Sequence, residues 1–214
     1  PCFRPGSPGP SAKLRRVADD FFRLDVADRL EVLSVAASAS GRPIHLLEKD
    51  VWVVWTLRTL FGAEVGEDLV FKGGTSLSKA YGAIRRFSED IDLTCDIRKL
   101  VPDLGGEEGN ALPATRSEEK RWSRAVRHRL PGWIEAQVLP VIGRSLEMEG
   151  LTAAARAEGD KIYVEYAPLA DGYGYVPPRV MLEFGARSTG QPNAPHDIVC
   201  NAAEHVGPVI FPTA

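Results

Sequence analysis

The stretch LVFKGGTSLSKAYGAIRRFSEDIDLTCD, Leu69 to Asp96, decides how the rest of the chain is read. It opens on the apolar run Leu69, Val70, Phe71 and breaks at Gly73-Gly74. It then runs in helical rhythm through Leu77, Tyr81 and Ile84 and closes on the alternation Asp90-Ile91-Asp92-Leu93. Two adjacent glycines let a backbone turn tightly and approach a ligand with no Cβ in the way. A helix starting near Thr75 aims its free N–H groups and the positive end of its dipole at the same spot, which suits a phosphate. In a strand, residues two apart share a face, so Asp90 and Asp92 point one way while Ile91 and Leu93 enter a core. Cα atoms at that spacing stand roughly 7 Å apart, within reach of one hard cation. Two carboxylates beside a phosphate-binding turn are what a magnesium-dependent phosphoryl or nucleotidyl transfer requires, because magnesium takes oxygen ligands and shares its shell with phosphates. Gly73, Gly74, Thr75 and Ser76 read as a triphosphate cradle, against an ordinary strand-to-helix turn. Lys79, one helical turn further on, reaches phosphate oxygens or is a surface lysine.

Composition narrows the classes. At 214 residues and 44% hydrophobic, the chain makes one domain or a domain and a half with ample core. A net charge of −3 gives no global basic field, so any nucleic-acid site must be local. The three cysteines, Cys2, Cys95 and Cys200, lack metal spacing and fit a reducing cytoplasm. His45, His128, His196 and His205 show no HxxxH or HExxH spacing, so none is assigned to zinc. No apolar run approaches the roughly 18 residues of a membrane span, no signal-peptide pattern appears, and no GxSxG supports a hydrolase.

Taken in order, residues 1–10 (PCFRPGSPGP) read as a disordered leader. A helical part follows over 11–68. Phe21, Phe22 and Leu24 line its first helix, and Asp25 or Asp28 caps the next, which carries Leu30, Leu33 and Val35. Gly41-Arg42-Pro43 ends that one. Leu46 to Phe61 forms a longer helix with Trp52, Trp55 and Leu60 in a buried stripe and Lys49-Asp50 as a solvated charge pair. Gly62 to Asp68 is a loop, and the core runs from 69 to 214. Val101 to Pro113 reads as a surface excursion. Helices follow over Thr115–Leu130 and Trp133–Leu146, the second interrupted by Pro140. Trp122, Val126 and Leu130 make an apolar row in the first of these. Lys120, Arg124 and Arg127 share an adjacent face, with Arg121 and Arg129 nearby, either solvated or facing nucleic acid. Leu151–Ala157, Lys161–Tyr166 and Arg179–Phe184 alternate as strands, the first two joined by Glu158-Gly159-Asp160. A short helix is expected at Asn201–His205. Together these strands predict an α/β fold with a small mixed sheet flanked by helices.

Gly-Gly-Thr followed after a helix by Asp-x-Asp resembles the signature of the polymerase-β-type nucleotidyltransferase superfamily. GGTSLSKAY with RRFSEDIDL is similar to its AbiEii/AbiGii-type toxins of toxin–antitoxin and phage-defence systems. LLEKDVWVVWTLRTLF (Leu46 to Phe61) and RVMLEFGARSTG (Arg179 to Gly190) resemble that family's flanking segments. The resemblance implies a nucleotidyltransferase-type fold and a magnesium-dependent enzyme using one or two ions. That enzyme moves a nucleoside monophosphate from an NTP to an RNA acceptor, with tRNA 3′ ends the leading case, and an antitoxin opposes it. It marks Glu183 as a third metal-binding carboxylate beside Asp90 and Asp92, with Glu165 the competitor. Met181 stands where the family often carries lysine. Ser88, Arg85 and Arg86 are further pocket or surface candidates. Family members generally continue with more helices, so the C-terminal helical part is expected to be missing or shortened here. A phosphotransferase on the same site, or an inactive nucleotide-binding module, is the alternative function.

Overall fold

The computed structural model describes residues 20–84, 90–104, 113, 115–170, 176–187 and 194–214. The leader, the expected helix before residue 20, Arg85, Arg86 and Ser88 lie outside the described residues.

Asp20 caps a short 3₁₀ turn, Phe21–Arg23, and Asp25 then caps α1, Val26–Ser40, through its carboxylate and the Asp28 N–H at 2.8 Å. Of the two expected caps, Asp25 is the one used. Helix α2, Ile44–Phe61, is the central element, and it is buried on nearly every side. Trp52 and Trp55 pack edge-on to each other, and Trp52 stacks on Tyr166 at 5.0 Å between ring centres. The expectation of a solvated Lys49-Asp50 pair is overturned. Glu48, Lys49 and Asp50 are 1–2% exposed, because α2 is enclosed at its N-terminal turns as well as along its apolar stripe. A 3₁₀ turn, Glu64–Asp68, replaces the expected loop.

The sheet is built from β1 (Leu69–Lys72), β2 (Asp90–Asp96), β3 (Ala153–Glu158), β4 (Lys161–Tyr166) and β5 (Arg179–Arg187), in the order β1-β2-β5-β4-β3. Only β2 and β5 run parallel; the other neighbours are antiparallel. The alternation works as expected. Ile91, Leu93 and Cys95 of β2, Leu182 and Phe184 of β5, and Ile162 and Val164 of β4 are buried on one face. Tyr166, on that same face of β4, meets Trp52, so α2 covers it. The β3–β4 hairpin turns on Gly159-Asp160, with Gly159 at φ 63°, a conformation that favours glycine.

Other expectations shift. Helix α3, Gly73–Lys79, begins two residues before Thr75 and stops short of Tyr81; Leu77 and Tyr81 are exposed rather than packed. A short helix α4, Ile97–Leu100, follows β2, and Val101 behind it is buried, so the surface excursion starts later than expected. The two helices expected after residue 115 form one rod. Helix α5, Arg116–Trp133, passes through a π turn, Ile134–Val138, directly into α6, Leu139–Met148. Pro131 and Pro140 each remove a backbone donor, and the wide turn between them accommodates the loss without a break. Residues 201–205 form turns instead of a helix. This last segment folds back onto the start of the described chain: Phe211 stacks on Phe21, and the Phe21 N–H donates to the Ile210 carbonyl at 2.9 Å. No helix among the described residues is long and apolar enough to cross a membrane.

Cys95 and Cys200 are fully buried. Burial first, then the Asp68 and Asp96 carboxylates, push the Cys95 thiol up to about 12; burial and Asp50 raise that of Cys200. In a Cys2→Ser variant, Ellman's reagent should therefore find no reactive thiol in the native protein and two after denaturation. A fast-reacting native thiol would mean that the core is not closed at these positions.

Candidate functional site

The face of the sheet opposite α2 carries the charge. Register alignment places Lys72, Asp92, Glu183, Lys161 and Glu158 in one row across all five strands. Residues aligned in this way share a face and interact side by side. One step along, a second row holds Asp90, Met181, Tyr163 and Arg156. Asp90 and Asp92 thus lie on one face of β2, with Ile91 and Leu93 on the other, and Glu183 is the cross-strand neighbour of Asp92.

The glycine turn is built against Asp92. Gly73 has φ +77°, and a Cβ there would lie 1.9 Å from Asp92 Oδ2. Only glycine fits, for both reasons. The Thr75 hydroxyl donates to the Asp90 backbone carbonyl, so Thr75 ties α3 to β2; Thr75 and Ser76 are both buried. Lys79 sits elsewhere than the cradle reading expects. Its ammonium pairs with the buried carboxylate of Asp50 and donates to the Val199 carbonyl at 3.0 Å. Asp50 also accepts from the Asn201 N–H at 2.6 Å and from its side-chain amide at 2.9 Å. One buried carboxylate therefore joins α2, α3 and the last segment of the chain.

Glu183 is half exposed and pairs with Lys161 at 3.3 Å, which holds the lysine above its ordinary range. Glu165 lies two rows away from Glu183 along β4, opposite Arg179, and pairs with Arg156 at 3.3 Å. Among the described residues no three histidine, cysteine or acidic side chains converge as a preformed metal cage. Two carboxylates on one strand face still fit magnesium, which commonly takes one or two protein carboxylates and fills its shell with water and phosphate oxygens. The space that a Gly73 side chain would need is taken by the Asp92 carboxylate itself, which brings that acid against the backbone of the turn.

Lys72 is the residue that the sequence reading passed over. It ends β1 directly before Gly73 and aligns with Asp92, and its Nζ lies 3.6 Å from where a Cβ on Gly185 of β5 would stand. The ammonium therefore reaches across β2 over the open face, above a position with no side chain to block it. The available signal was a lone cation closing an apolar strand immediately before the glycine pair. The basic face of α5 (Lys120, Arg121, Arg124, Arg127) is exposed, whereas Arg129 is held by Asp103 and donates to the Leu100 carbonyl at 3.2 Å.

Two variants test this construction by urea unfolding. Gly73→Ala should lose stability and displace Asp92, because a methyl group and the Asp92 carboxylate cannot share that space. Asp50→Ala should cost about 3–5 kcal/mol by stranding a largely buried lysine. Midpoints equal to wild type in either variant would show that these contacts do not hold the turn.

A family model described as the nucleotidyl transferase AbiEii toxin of Type IV toxin–antitoxin systems matches residues 55–214, more than half of the chain. No curated protein and no solved structure matches it. The chain belongs to the AbiEii nucleotidyl transferase toxin family, and its mixed α/β architecture is consistent with a nucleotidyltransferase-type fold.

Proposed function

We propose that this member of the family is a magnesium-dependent nucleotidyltransferase that moves a nucleoside monophosphate from an NTP onto RNA, with tRNA 3′ ends the leading acceptor. It would act in the cytoplasm as the toxin of a toxin–antitoxin or phage-defence pair, opposed by an antitoxin. The observation that carries this reading is the packing of the Gly73 turn against Asp92, which sets a glycine turn beside a strand carrying two carboxylates. Asp90 and Asp92 would hold the ion, with Glu183 next to them on β5. Bound magnesium would neutralise phosphate charge and orient the reacting oxygens. The chain's own groups would do the rest. Gly73 and Gly74 admit phosphate oxygens close to the backbone, and Thr75 and Ser76 fix the turn from below. Lys72, reaching over β2, offers an ammonium to phosphate charge bound at the acids. Lys79, already held by Asp50, would position α3.

Met181 and the Glu183–Lys161 pair favour one second reading, a module that binds nucleotide without turnover. Incubation with total tRNA, Mg²⁺ and each α-labelled NTP, beside Asp92→Ala, separates the two. Label should appear on tRNA from one NTP and fall by roughly a hundredfold or more in the variant, in keeping with several kcal/mol of lost charge stabilisation. Nucleotide bound without label transfer would overturn nucleotidyl transfer, and a γ-labelled repeat would then tell a phosphotransferase from the inactive module.

A further inference from the structure

We infer that Tyr163 and Arg156, on the open face of β4 and β3, form a stacking platform for the bases of a single-stranded RNA acceptor. This inference rests on the nucleotidyl transfer reading and assigns the side from which the acceptor enters. The Arg156 guanidinium lies 4.3 Å above the centre of the Tyr163 ring, and Arg179 approaches the same ring at 4.9 Å. Arg156 does not wander: Glu158 holds it at 2.8 Å and Glu165 at 3.3 Å. A guanidinium fixed over an aromatic ring offers a base both a planar group and a π-face to stack against. Bases stack on arginine planes and aromatic rings alike, whatever their identity. Fixing the plane in advance removes part of the ordering cost of binding.

Its place on the sheet selects the acceptor over the donor. Tyr163 shares a register row with Asp90, with Met181 between them, so their Cα atoms stand two strand spacings apart, roughly 10 Å. Met181 makes the floor between them apolar. The Gly73 turn lies on the other side of Asp92, toward β1, while the Lys72 ammonium reaches over β2 as far as Gly185. In phosphoryl transfer the attacking oxygen and the leaving group stand roughly in line on opposite sides of phosphorus. With the pyrophosphate on the β1 side, the attacking hydroxyl arrives from the β4 side, where the platform lies. The bond that forms joins the acceptor hydroxyl oxygen to the α-phosphorus. The bond that breaks releases pyrophosphate, and the hydroxyl proton leaves to solvent.

Fluorescence anisotropy with a fluorescein-labelled single-stranded RNA of about twelve nucleotides tests the platform directly. Tyr163→Ala and Arg156→Ala should each weaken binding by about tenfold, whereas Tyr163→Phe, which keeps the ring, should bind within about twofold of wild type. NTP binding by equilibrium dialysis should be unchanged in all three. In the tRNA-labelling reaction the alanine variants should raise the acceptor KM and leave kcat in place. Arg156 is exposed, so Arg156→Ala carries the test if Tyr163→Ala does not fold. Three results overturn the inference: no RNA binding by wild type, alanine variants that bind RNA as wild type does, or loss of NTP binding with RNA binding intact. The last would assign the surface to the donor's base. Binding needs neither metal nor NTP, so an absence of label transfer leaves this test standing. Label transfer alongside unaltered RNA binding in the alanine variants sinks the platform alone.

Discussion

A carboxylate oxygen of Asp92 occupies the space into which any side chain at position 73 would project, and that mutual exclusion ties the end of β1, the start of α3 and the face of β2 into one object. The Thr75 hydroxyl bond to the Asp90 carbonyl pins the same turn to the preceding strand residue. The turn is thus fixed from both sides of the acid pair, by a steric rule at one residue and a hydrogen bond at the other. Without that contact the parallel pairing of β2 with β5 would still bury Ile91, Leu93, Leu182 and Phe184, but the acids would face open water with nothing organised beside them.

A second constraint lies behind the first. Asp50 is buried, and burying a carboxylate is costly unless it is paired and hydrogen-bonded. Lys79 supplies the charge, and Asn201 supplies two N–H donors. Because those partners come from α3 and from the last segment, α2 can enclose its own polar turn only when both are docked. The short helix carrying the glycine turn is therefore held at its far end by a salt bridge whose other anchor is the central helix of the molecule.

Much of this was legible in the sequence because it follows from local rules. Period-two alternation located β2, β4 and β5 and assigned Ile91 and Leu93 to the core. The glycine pair marked the turn, and the order of motifs pointed to the family. What escaped was set by tertiary partners. Nothing in the heptad around Lys49-Asp50 says that the last segment of the chain will return to bury it, so a solvated pair was the natural expectation. Lys79 has the right spacing for a phosphate, yet a buried carboxylate two elements away claims it. Leu77 and Tyr81 continue a helical rhythm, but α3 ends at Lys79. Two helices were expected over Thr115–Leu130 and Trp133–Leu146, the second interrupted by Pro140, whereas α5 and α6 run on through a π turn. Lys72 went unremarked because its use depends on Gly185, a residue on a strand it does not pair with.

The row Lys72, Asp92, Glu183, Lys161 explains how two acids can sit in register on neighbouring strands at all. Like charges directly opposite each other destabilise a sheet. Here each acid has a lysine on its outer side, so the repulsion at the centre of the row is offset at both flanks. The flanks are not equivalent. Lys161 pairs directly with Glu183, whereas the Lys72 ammonium extends past Asp92 toward Gly185. Glu183 therefore already has a cation, and for it to join Asp90 and Asp92 around a metal ion Lys161 must turn away. Among the described residues no cation pairs with Asp92, and it is the acid against which the glycine turn is built. The asymmetry divides the open face into a β1 side, where the glycine turn is built against a carboxylate, and a β4 side, where charges are mutually satisfied and the Arg156 guanidinium lies over Tyr163. A polyanionic leaving group belongs with the first, and stacked bases belong with the second.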